Sequence, residues 1–218
     1  MNLENLFFAI ELIGTVAFAI TGVITAVEKK FDIFGAIVLG TVTAVGGGIV
    51  RDLILGYTPP MAFRKSVYAI TAVLTSLAVF VIAYFFGKKI RKHYDVYSQV
   101  INVFDSIGLA VFVVGGANSA IACGFEENMF LSVFVAALTG VGGGVMRDIM
   151  AGRVPTILHK RVYALAAIIG AVVYYVLIYY TVCSSTVAVI VGAGSVLVIR
   201  ILATIFRWNL PAVKNLDE

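Results

Sequence analysis

GGGIVRDLILGYTP at 46–59 and GGGVMRDIMAGRVP at 142–155 are two versions of one phrase. Each has three consecutive glycines, an Arg-Asp pair two residues on, a further glycine (56 or 152) and a proline (59 or 155). Outward from the phrase, FRKSVYA (63–69) matches LHKRVYA (158–164), and ELIGTVAFAITG (11–22) matches DSIGLAVFVVGG (105–116). The offsets are 94 residues for the leading segment, 96 for the glycine phrase and 95 for the V-Y-A segment. A self-match at a nearly fixed period identifies the building unit before any single motif is weighed.

Composition says what that unit is made of. Of 218 residues, 61% are hydrophobic and 13% charged, and the mean hydropathy is +1.03. A soluble domain has about 45–50% apolar and about 25% charged residues, so the excess belongs on the outside, against lipid. Seven stretches are long enough to cross about 30 Å of hydrocarbon: residues 6–27, 33–55, 67–86, 100–123, 129–150, 162–180 and 186–206. The polar residues within them are mostly Gly, Ser and Thr, which helices carry in lipid. The repeated unit holds three spans, and because three is odd the second copy enters the membrane the other way round. The expected fold is therefore an all-α integral membrane protein with seven transmembrane helices. Residues 1–92 form the first three-helix repeat, 93–182 the second, inverted one, and 183–218 the seventh helix and tail.

Charge gives the orientation. With loops assigned alternately, one side collects Lys29, Lys30, Lys88, Lys89, Arg91, Lys92, Arg147, Arg153, Lys160, Arg161, Arg207 and Lys214. The other holds Arg51, Arg64 and Lys65 with Glu4, Glu126 and Glu127. Basic residues stay cytoplasmic, which puts the N-terminus outside and the C-terminus inside a multi-pass inner (plasma) membrane protein. The net charge of +4 follows from this asymmetry and is not a nucleic-acid signal. The first span follows no basic segment and carries Glu11, so it is expected to remain in place. Cys123 and Cys183 read as isolated small residues. His93 and His159 lack metal-ligand spacing, no catalytic constellation is present, and no cofactor is expected. The chain is not expected to be an enzyme. The KKIRKHY cluster at 88–94 suits anionic headgroups.

The glycine phrase has three readings. A nucleotide loop of the G-x-G-x-x-G kind would need glycine where Arg51 and Arg147 stand, and would follow a soluble strand. Close helix packing explains one or two glycines. A break in the helix explains three, since each costs a helix about 0.8–1 kcal/mol relative to alanine. The break is the leading expectation for Gly46–Gly48 and Gly142–Gly144, about 20 Å into each span. Inverted repeats with broken helices place a transport path near the midplane. The candidate path residues are Gly46, Gly47, Gly48, Gly142, Gly143 and Gly144 with Arg51, Asp52, Arg147 and Asp148. Glu11 and Asp105 join them, because an acid inside a span needs a partner. Glu11 is expected to pair with Arg51 or Arg64, and Asp105 with Arg147 or Lys160. For Arg51 and Arg147, snorkelling to the headgroups is the competing expectation. For Arg200, in the seventh span, snorkelling is the leading expectation and a pore or subunit contact the alternative.

The doubled GGG-x-x-RD, each copy followed by Pro and V-Y-A within a three-plus-three-plus-one arrangement, resembles the bacterial relatives of the trimeric intracellular cation channels. Those proteins are also grouped under a repeated "glycine transporter" domain. The resemblance implies a homotrimer with one pore per subunit, selective for monovalent cations, chiefly potassium, with the triplets kinking the second and fifth spans. The lysine-rich K-E-V-x-R-x-x-K stretch of the animal members has no match here. A carrier of glycine or another small zwitterionic amino acid is the alternative function.

Overall fold

A backbone in lipid has no water to satisfy its N–H and C=O groups, so apolar runs of this length close their hydrogen bonds within helices. The structure, a computed structural model, describes residues 3–90, 94–159, 162–181, 183–206 and 208. Its helices are α1 (Leu3–Glu28), α2 (Ile33–Ile54), α3 (Met61–Arg64), α4 (Val67–Ile90), α5 (Tyr94–Ala122), α6 (Met129–Met150), α7 (Thr156–His159), α8 (Val162–Tyr180) and α9 (Ser185–Ile205). Seven of these are long and apolar enough to cross a membrane, and they are the seven spans expected from the sequence, with ends shifted by a few residues. Asp32 caps α2 by accepting from the Gly35 N–H, and Asn128 caps α6 by accepting from Leu131, each satisfying a donor the helix start leaves free. Arg91, Lys92, His93, Lys160, Arg161, Arg207 and Lys214 lie outside the described residues.

The helices pack as two trios, α1–α2–α4 and α5–α6–α8, joined across α1–α5 and α2–α6, with α9 laid on α8 and α5. The joints between the trios are reciprocal. A Cβ at Gly47 would overlap the carbonyl oxygen of Thr139, and one at Gly143 would overlap that of Thr43. In the other joint, Gly14 faces the Phe112 ring and Gly108 faces the Phe18 ring, while the two rings meet at 5.2 Å between centroids. Each contact is matched by its partner under the repeat offset, the pattern a two-fold relation produces. Gly47 and Gly143 in the repeated phrases, and Gly14 and Gly108 in the leading segments, are thus positions where trio meets trio.

The glycine triplets do not break their helices. α2 is continuous α-helix from Ile33 to Ile54, and α6 from Met129 to Met150. The expectation of a break is overturned by where the missing side chains lie: the crossing helix fills that space with its own backbone. The glycines' cost in helix propensity is offset by close approach, which in lipid contributes dispersion contacts that larger residues prevent.

Candidate functional site

The phrase after each triplet builds a local device. Gly56 and Gly152 hold φ of +73° and +63°, a left-handed conformation that glycine adopts without the Cβ penalty. At the end of α2, Tyr57 N–H donates to Asp52 O (2.8 Å) and Gly56 N–H to Leu53 O (3.2 Å). At the end of α6, Arg153 N–H donates to Asp148 O (2.8 Å) and Gly152 N–H to Ile149 O (3.0 Å). Both ends are Schellman motifs, which satisfy the last carbonyls and reverse the chain. The reversal returns a short helix to the aspartate. Met61 N–H at the start of α3 donates to Asp52 Oδ2 at 2.7 Å. Thr156 at the start of α7 donates from its N–H and its hydroxyl to Asp148 Oδ2, both at 2.8 Å.

The other aspartate oxygen holds the arginine. Arg51 Nε donates to Asp52 Oδ1 at 2.8 Å, and Arg147 Nε to Asp148 Oδ1 at 2.9 Å. Fixed this way, each guanidinium turns inward to the acid at the start of its trio. Arg51 Nη1 stands 3.7 Å from Glu11 Oε1, and Arg147 Nη1 stands 2.9 Å from Asp105 Oδ1. Arg51 and Arg147 are 6% and 3% exposed, so neither snorkels. Burial of a charge among apolar helices is costly unless a partner and hydrogen bonds meet it, and here the partners are in place.

The two clusters differ. In the first, Glu11 Oε2 accepts from the Tyr68 hydroxyl at 2.7 Å. A cavity of about 40 Å³ opens between Glu11, Thr15, Gly48, Arg51, Asp52 and Tyr68. In the second, Arg147 also donates to the Thr21 hydroxyl of the other trio at 3.1 Å. Arg200 of α9 enters as a further cation, 4.0 Å from Asp105 Oδ2. Its Nε donates to Ser106 Oγ at 3.2 Å, and its guanidinium covers the Tyr163 ring at 4.6 Å. Arg200 is 3% exposed, which corrects the snorkelling expectation: a carboxylate and a ring face within reach hold it better than distant headgroups.

The candidate residues therefore separate by task. Glu11, Arg51 and Asp52 form one cluster, and Asp105, Arg147 and Asp148 the other. Gly48 lines the first cavity, and a Cβ at Gly144 would lie 3.3 Å from the Tyr163 hydroxyl and 3.8 Å from Asp105 Oδ1. Gly46, Gly47, Gly142 and Gly143 lie at the α2–α6 crossing. Tyr68, Tyr163, Thr21 and Arg200 were not among the expected site residues. The repeated V-Y-A marked the two tyrosines without saying what they touch, while Arg200, a charge inside the seventh span, lies outside the repeat and had no counterpart to point to its partner. Lys160, the other partner considered for Asp105, lies outside the described residues. Among the described residues no three His, Cys, Asp or Glu gather as a metal site.

Residues 8–84 and 102–179 match the model of the family described as glycine transporter. The chain belongs to the glycine transporter family. Each match falls within one trio of spans, so this family's unit is the repeat seen in the sequence. The UPF0126 inner membrane protein YadS of Escherichia coli K12 is 36% identical over 94% of each chain. A solved structure concerned with conductance through TRIC cation channels is 40% identical and superposes with a TM-score of 0.82, covering 99% of this chain and 98% of that one. The TRIC trimeric intracellular cation channel orthologue from Rhodobacter sphaeroides is 27% identical, with a TM-score of 0.83 over 93% of this chain and 99% of that one. Like its E. coli relative, this family member is a multi-pass inner-membrane protein; these relatives are membrane proteins and channels, not enzymes.

Proposed function

We propose that this protein is a membrane cation channel. It passes monovalent cations, chiefly potassium, along a path of its own between the two trios, and three copies assemble. The observation that carries this reading is the cavity of about 40 Å³ at Glu11, Arg51 and Asp52, a largely apolar space onto which these charged side chains open. One water needs about 10–15 Å³ on this measure, so the space admits about three. That suits a small cation keeping part of its hydration shell, with the Glu11 and Asp52 carboxylates as its attraction. The likeness to solved TRIC cation channels over nearly the whole chain supports it. A glycine carrier would need to enclose an ammonium and a carboxylate together, and the cavity is small for that.

In this reading Asp105, Arg147 and Asp148 form the matching constriction in the second, inverted unit. The reciprocal contacts at Gly47–Thr139 and Gly143–Thr43 support the two-fold relation. Gly46–Gly48 and Gly142–Gly144 bring α2 and α6 together along the path. The N-terminus faces outside. Reconstitution into liposomes with a potassium gradient tests the function. Potassium flux with single-channel steps is expected; saturable glycine exchange without such steps would replace the channel with a carrier.

A further inference from the structure

The seventh helix stands outside the repeat, yet its one charged residue reaches the second cluster. The first cluster, Glu11, Arg51 and Asp52, carries one net negative charge among the described residues. The second has the corresponding set, Asp105, Arg147 and Asp148, and adds Arg200 at 4.0 Å from Asp105, which brings it to neutrality. Position in the fold explains the difference. α9 packs on α5 and α8, and among the described residues no equivalent helix lies on α1 and α4. Ser106, which accepts from Arg200, is matched in the first unit by Leu12, an apolar residue with no acceptor to offer.

We propose that Arg200 is a charge-setting, positioning residue that makes two otherwise equivalent half-sites electrostatically unequal, so that cation current through the protein rectifies. The inference rests on the cation-channel reading and deepens it. Arg200 acts through Asp105: from 4.0 Å it faces the second carboxylate oxygen and cancels the surplus charge that would otherwise draw cations to that end of the path. A cation meets an attractive cluster at one end and a neutral one at the other. Equal and opposite voltages therefore load the path unequally. The effect is electrostatic and weakens as added salt screens the charges.

Planar-bilayer recording in symmetric potassium chloride tests this. Wild type should pass unequal currents at equal and opposite voltages. Arg200→Gln leaves each cluster with one net negative charge, so the current ratio should approach one. Potassium conductance at low salt should rise roughly 2- to 10-fold, with the gain shrinking at high salt. Arg200→Lys should retain the wild-type ratio, and Asp105→Asn combined with Arg200→Gln, neutral again at the second cluster, should restore it. A conducting Arg200→Gln protein with the wild-type ratio overturns the inference and leaves the channel reading intact. A double variant that behaves as Arg200→Gln does so as well. Should Arg200→Gln not fold, Asp105→Asn alone gives the second cluster a net positive charge and must steepen the rectification; an unmoved ratio overturns the proposal. A wild type that passes no potassium overturns both readings.

Discussion

At the scale of single residues, each Arg-Asp pair works by dividing its contacts. The aspartate gives one oxygen to its neighbour's Nε and the other to the helix that follows, and the arginine turns Nη1 to an acid in the preceding span. The consequence of losing the arginine differs between the copies. Removing one partner of a fully buried ion pair costs about 3–5 kcal/mol, because the other charge stays buried. Asp105 is 3% exposed, and Arg147 reaches it at 2.9 Å. The Glu11 side chain is 19% exposed beside a cavity, with Arg51 at 3.7 Å. Arg147→Gln should therefore lower the melting temperature of detergent-solubilised protein well beyond Arg51→Gln, as followed by thermal aggregation. Equal losses would mean that water reaches both clusters alike. The aspartates were legible in the sequence as repeated charges inside apolar spans. Their division between arginine and short helix was not, because it depends on the Schellman turn at Gly56 and Gly152 bringing Met61 and Thr156 back.

At the scale of helices, the triplets show how one local signal admits two structures. Three glycines weaken a helix and also open one side of it to a neighbour, and sequence alone does not say which use prevails. Here the neighbour prevails at two of the three positions. Gly47 faces the Thr139 carbonyl with no room for a methyl, whereas the nearest atom to a Cβ at Gly48 is Arg51 Nη2 at 3.8 Å. Overpacking a tight site costs about 1–3 kcal/mol, and replacing glycine with alanine in a helix otherwise gains about 1 kcal/mol. Gly47→Ala should destabilise the protein and Gly48→Ala should leave it unchanged or more stable, as read by thermal unfolding of the purified protein. The same ordering is expected for Gly143→Ala, which faces the Thr43 carbonyl. If Gly47→Ala and Gly48→Ala melted alike, the backbone contact would not limit the crossing. The Gly14–Phe112 and Gly108–Phe18 contacts extend the point, since the I-G and aromatic positions of the leading repeat are the second half of one joint.

At the scale of the whole molecule, topology has a test already in the chain. Cys123 follows the end of α5 and Cys183 lies between α8 and α9, and both are exposed. With the N-terminus outside, both thiols face outward. A membrane-impermeant maleimide should label both in intact spheroplasts; protection until the membrane is opened would reverse the orientation. The rate at Cys123 should depend on pH. Burial, and then the nearby Asp52 carboxylate, push the Cys123 thiol up from its ordinary value, with Arg51 opposing. The thiolate is the reacting form, so the labelling of Cys123 should require more alkaline pH than that of a small free thiol. Contacts at the span ends fit the alternating order. Arg153, after α6, bonds Glu28 at the end of α1 at 2.5 Å, and Leu55, after α2, packs with Ala120 near the end of α5.

The seven spans and the paired phrases were determined by the sequence alone, because hydrophobic length and a fixed repeat offset are properties of one dimension. The acid–arginine pairing within each unit was nearly so, since each unit offered its buried carboxylate few cations. Tertiary structure alone decided that the triplets join helices instead of breaking them, because a missing Cβ has no meaning until the atoms opposite it are known. It also decided that Arg200 lies inside: α9 has no twin in the sequence, and only its packing on α5 and α8 carries that guanidinium to Asp105.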